Sequence, residues 1–176
     1  MQILHLVSLL SLLSGSSAAT FKSCSDSQIA TLEAAIGRAT TKAYAAVDHL
    51  EANPNGSEVQ TTWYGTFSTE RYNRVLTAFK KFAPDLATTF SYDCSCTSDV
   101  VYATVGNTYG DVKICSVYFN EEMLPPAGKH RSQWDTIIHE ATHFRDVLGT
   151  TDHGYDVENC KRFALEDPEK AVSNAE

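Results

Sequence analysis

Between Asp26 and Ala52 apolar side chains recur at Ile29, Leu32, Ile36, Ala39, Ala43, Val47 and Leu50, the spacing of one face of a helix. Asn53 to Ser57 carries Pro54 and Gly56 and reads as a loop. A second helical stripe, Tyr72, Val75, Leu76, Phe79 and Phe82, occupies Thr69 to Phe82 and stops before Pro84. From Thr88 to Phe119 the chain turns β-branched and aromatic around Asn107-Thr108-Tyr109-Gly110, which predicts strands joined by a hairpin turn. Pro125, Pro126 and Gly128 then loop the chain toward a third stripe, Trp134, Ile137, Ile138, Ala141 and Leu148. Ser132 and Asp135 have the spacing of a capping box that opens this helix, and Gly149 is its natural stop. Asp167-Pro168 starts a last helix. Helices around a hairpin sheet indicate one α+β domain, with the helices packed against a small antiparallel sheet.

The polar face of the third helix carries the chemistry. His139-Glu140-Ala141-Thr142-His143 reads H-E-x-x-H, and residues four apart on a helix share a face, so both imidazoles reach one metal ion. They fall roughly opposite the apolar stripe. Glu140 is then placed to take a proton from a metal-bound water. Two histidines do not complete a catalytic zinc site, which takes three protein ligands and an open position. Asp152, just past the turn at Gly149, supplies the third donor, and Tyr155 three residues on can donate a hydrogen bond to a developing oxyanion. Without that second segment the pentapeptide would read as a buried helix with two polar-face histidines. His49, His130 and His153 read as surface residues; of the three, only His153 is near enough in sequence to influence specificity.

The setting follows from composition. A chain of 176 residues is long enough for one domain with a real core. Ile3 to Leu13 is too short an apolar run to span a bilayer, and Ser17-Ala18-Ala19 offers a cleavage point before Thr20, so residues 1–19 read as a signal peptide and 20–176 as the mature, secreted domain. No later stretch is apolar enough for a membrane span. A net charge of −8 argues against nucleic acid as a partner. The partners expected are protein or peptide substrates, acted on by a monomer. Asn55-Gly56-Ser57 is an N-glycosylation acceptor sequence. Five cysteines in an oxidising compartment imply disulfides with at least one thiol left over. Cys94-x-Cys96 lacks the two intervening residues usual in half of a zinc site.

H-E-x-x-H followed by G-T-x-D-x-x-Y resembles the aspzincin metallopeptidases, the deuterolysin and peptidyl-Lys metalloendopeptidase group. Thr61-Thr62-Trp63-Tyr64-Gly65, Tyr92-Asp93-Cys94-Ser95-Cys96 and Asp167 to Ala175 look like further segments of that family. The resemblance implies a zincin-like peptidase domain with one Zn2+ held by His139, His143 and Asp152, Glu140 as general base and Tyr155 stabilising the transition state. It also implies disulfides Cys24–Cys94 and Cys96–Cys115; Cys160 is then left over, as a buried free thiol or for pairing between molecules. In lysine-specific relatives an acidic residue after Asn-Ala helps form the pocket for the residue following the cut, and Glu176 holds that position. The family continues for a further turn or more of helix beyond it, so the C-terminal end reads as truncated. Asp156 stands where the family motif usually closes with glycine. A rival reading from another class is a secreted zinc-binding interaction protein, an effector or antigen, with the peptidase fold and little turnover.

Overall fold

The computed structural model describes residues 18–124 and 131–175. Most of the segment read as a signal peptide lies outside the described residues, as do Pro125, Pro126, Gly128, His130 and Glu176.

The first helix, α1 (Asp26–Ala52), begins at a capping box in which Ser25 and Gln28 exchange side-chain and backbone hydrogen bonds. Of its predicted stripe all but Ile29 are buried, and Ala35, Ala39 and Ala43 keep that face narrow enough for close packing on two other helices. Those are α3 (Thr69–Asp85) and α4 (Gln133–His143). Pro84 falls inside the last turn of α3 rather than after it. A short helix that apolar periodicity gave no reason to expect, α2 (Glu58–Tyr64), lies between α1 and α3 and is capped by Ser57. It ends at Gly65, where φ is +77° and a Cβ would lie 2.3 Å from the carbonyl of Ala164. That close approach seats α2 on α5 (Val157–Glu166), the second unpredicted helix. The expected last helix is α6 (Pro168–Val172), with Asp167 as its cap.

The sheet is four-stranded in the order β1-β2-β4-β3: β1 (Thr20–Lys22), β2 (Ser91–Cys96), β3 (Ala103–Val105) and β4 (Asp111–Cys115). The α+β class holds, but the sheet is mixed: β3 and β4 form the predicted antiparallel hairpin, whereas β1–β2 and β2–β4 are parallel. Alternation along a strand reports which face is buried and says nothing of the neighbour's direction, so only the hairpin was readable. Both expected disulfides are present. Cys96–Cys115 ties β2 to β4. Cys24–Cys94 ties the segment before α1 to β2. Cys160 is buried and takes part in neither disulfide.

The third predicted stripe needs correction. The capping box at Ser132 and Asp135 forms as expected, but α4 ends at His143, well short of Gly149. Phe144 leaves the helix with extended ψ and buries its ring edge-on against Phe90 and Tyr109, at centroid distances of 5.5 and 5.3 Å. Burying that ring favours leaving the helix over another turn that would keep it exposed. Leu148 is therefore not on the helix stripe. Gly149 still makes the turn, at φ +61°, with its N–H donated to the Phe144 carbonyl.

Candidate active site

A cleft of about 930 Å³ runs between β3 and the polar face of α4. Strand β3 is one of the sheet's two edge strands, and its residues line this cleft.

Helix α4 projects His139 and His143 one turn apart into the cleft, with their Nε2 atoms 3.1 Å from each other. Asp152 comes from the turn beyond Gly149, and its Oδ1 lies 3.2 Å from His139 Nε2 and 3.4 Å from His143 Nε2. Among the described residues this is the one group of three or more potential ligands that converges in this way. A tetrahedral ion bonded to nitrogen and oxygen at about 2.0–2.1 Å has ligands about 3.3 Å apart. The observed triangle therefore has the dimensions of one face of such a tetrahedron, and two imidazoles with a carboxylate suit zinc chemically.

The surroundings prepare these donors. His143 Nδ1 is 2.9 Å from the carbonyl of Thr150; a carbonyl only accepts, so Nδ1 carries the proton and Nε2 keeps its lone pair. Thr150 is held in turn by its buried hydroxyl pair with Thr142 at 2.7 Å and by its N–H on the Thr142 carbonyl. Tyr155 donates its phenol hydrogen to Asp152 Oδ2 at 2.8 Å, leaving Oδ1 to face the histidines. The Tyr155 ring stacks on His139 at 6.4 Å, and the Arg131 guanidinium lies over both the Tyr155 and the Tyr102 rings.

Glu140 is 5 % exposed beside the first histidine. Burial raises its carboxyl pKa to about 7; the neighbouring His139 opposes that and Asp152 reinforces it. A carboxyl balanced near neutrality is suited to accept and return a proton.

All five residues read from the sequence thus meet in one place. Glu176 lies outside the described residues. His153 is exposed on the Asp152 turn, and His49 bonds Ser57 away from the cleft. Four neighbours escaped the sequence reading: Thr142, Thr150, Arg131 and Asn174. Their hydroxyls, amide and guanidinium act through contacts between segments distant in sequence, which no local periodicity reports.

Residues 49–176 match the family model described as lysine-specific metallo-endopeptidase, the aspzincins. The chain is 35% identical over 159 residues to a peptidyl-Lys metalloendopeptidase of Pleurotus ostreatus, covering 90% of this chain and 92% of that one. It is 32% identical over 150 residues to an extracellular protease of Aeromonas hydrophila, covering 84% of this chain but 41% of the relative, so it spans under half of that protein's length. Its fold superposes on the zinc peptidase from Grifola frondosa with a TM-score of 0.76 at 30% identity, over 86% of this chain and 91% of that one. With likeness in both sequence and fold over most of its length, the chain belongs to the aspzincin family of zinc metalloendopeptidases.

Proposed function

We propose that this protein is a secreted endopeptidase in which His139, His143 and Asp152 hold one zinc ion, Glu140 is the general base and Tyr155 assists the transition state. The observation that carries the reading is the convergence of three donor atoms within 4.8 Å beside a buried, near-neutral carboxyl. Zinc held there supplies a Lewis acid that polarises the scissile carbonyl and brings the pKa of water toward neutrality.

The chain's own groups do the rest. An extended peptide adds to the open edge of β3, where backbone hydrogen bonds hold it across the cleft. Glu140 takes the proton from the attacking water and delivers it to the leaving amine nitrogen as the peptide C–N bond breaks. Tyr155 donates to the carbonyl oxygen as it gains negative charge. A phenol has one proton, so this requires Tyr155 to leave Asp152, and at 45% exposure the side chain has room to turn. Secretion is supported by two disulfides and by the extracellular relative. Cleavage before lysine is supported by the name of the Pleurotus relative and by the acidic balance of the chain.

The test is digestion of a denatured protein by the purified chain with and without a zinc chelator, the cut sites being read by mass spectrometry. Chelator-sensitive cuts with lysine on the carboxyl side of the broken bond are expected. Chelator-sensitive cuts without that preference would retain the enzyme and remove the lysine pocket. An intact substrate in the presence of folded, zinc-loaded protein would remove the peptidase reading.

A further inference from the structure

The turn that carries Asp152 is held from the C-terminal segment by one buried amide. Asn174 is 7 % exposed, and both ends of its side chain are fully engaged. Its Oδ1 accepts from the backbone N–H of His153 at 2.9 Å and of Gly154 at 3.2 Å. Its Nδ2 donates to the Gly154 carbonyl at 3.0 Å and to Cys160 Sγ at 3.6 Å. An oxygen facing two N–H groups and a nitrogen facing a carbonyl leave the amide one orientation. The backbone adds a parallel bridge, in which Thr151 donates to the Ser173 carbonyl at 3.0 Å and Ala175 donates to the Thr151 carbonyl at 3.2 Å.

Asp152 therefore sits between two clamps. On the helix side the Thr142–Thr150 contacts fix the chain two residues before it. On the far side Asn174 fixes the two residues after it. Asp152 itself is on a surface turn outside any helix or strand, with its side chain 35% exposed, so burial of its own does little to direct it.

We propose that Asn174 is a positioning residue of the metal centre, holding the His153–Gly154 backbone so that the Asp152 carboxylate points at His139 and His143. Partners that orient a metal ligand contribute about 10–100-fold to metal affinity. The proposal rests on Asp152 being a ligand, and the experiment separates the two ideas.

Zinc affinity of the full chain is measured by competition with a chromophoric chelator, for wild type, Asp152→Ala, Asn174→Ala, Asn174→Asp and the double variant Asp152→Ala/Asn174→Ala. Asn174→Ala is expected to weaken zinc binding by about 10–100-fold. Asn174→Asp is nearly isosteric and keeps the acceptor for both N–H groups, so it keeps the test open should the alanine variant fail to fold; it sets an oxygen against the Gly154 carbonyl and is expected to lose about 10-fold. In the Asp152→Ala background, removing Asn174 should cost nothing further, because the two act through one ligand. Wild-type affinity in Asn174→Asp, or an equal additional loss in the double variant, overturns the positioning role. Wild-type affinity in Asp152→Ala overturns the ligand assignment instead.

Discussion

The phenol oxygen of Tyr155 lies 2.8 Å from Asp152 Oδ2, so the residue read as a transition-state donor is, in the resting protein, bonded to the residue read as the third ligand. In the proposed mechanism one side chain serves two steps: it orients the carboxylate before substrate arrives and turns to the oxyanion afterwards. Tyr155→Phe should lower kcat by about 10²–10³ with little change in KM, and should also weaken zinc retention. An unchanged kcat would remove the catalytic role; unchanged zinc retention would make the bond to Asp152 incidental.

Glu140→Gln should lower turnover by several orders of magnitude while zinc stays bound, since the amide cannot accept the proton. Full activity in that variant would place the base elsewhere.

The same carboxyl makes a stability prediction. Its folded pKa of about 7 stands above the usual 4.5, so burial stabilises the protonated form. That contribution is complete below about pH 4.5 and is lost as pH rises through about 7, a difference on the order of 3 kcal/mol. Metal-free wild type should therefore become less stable than metal-free Glu140→Gln as pH rises from 4.5 to 8, with the two converging at acid pH. Parallel stability curves, measured by thermal unfolding in chelator, would mean that Glu140 titrates normally.

Asp156 has φ +76° and ψ 157°, a region that residues with a Cβ rarely adopt, and it also caps α5 by accepting from the Asn159 N–H at 2.8 Å. Backbone strain of this kind costs about 1–3 kcal/mol, whereas exchanging an Asp cap for Gly costs a few tenths of a kcal/mol. Asp156→Gly should therefore raise the unfolding temperature, by about 2–4 °C for each kcal/mol gained. Asp156→Ala keeps the strain and loses the cap, so it should lower it. A glycine variant less stable than wild type would show that the aspartate contributes more than its cap.

The two disulfides close loops of different length, with sequence separations of 70 and 19 residues. Loop-closure entropy makes Cys24–Cys94 worth about 4 kcal/mol and Cys96–Cys115 about 3 kcal/mol. Paired serine variants compared by denaturant unfolding should rank in that order, and the reverse ranking would mean that native packing outweighs the loop entropy.

Much of this was legible in the chain because it depends on local spacing. The stripes of α1 and α3, the Ser132–Asp135 box and the histidines one turn apart are all set within a few residues, and family likeness supplied the disulfides. What could not be read depends on contacts across the fold. Helix α4 stops at His143 because Phe144 finds an aromatic pocket built by Phe90 and Tyr109. Helices α2 and α5 are short, capped segments that pack on each other, through Gly65, and on α6, rather than long stripes. Direction within the sheet needed the crossover between β2 and β4. The Asn174 clamp joins residues 20 apart whose polar groups carry no periodic signal.

Joint binding of zinc by the proposed ligands His139, His143 and Asp152 is tested by the zinc content of the purified chain after dialysis against a weak chelator. One zinc per wild-type molecule is expected, with loss in folded Asp152→Ala as well as in His139→Ala and His143→Ala. A full complement of zinc in Asp152→Ala would place the third ligand elsewhere.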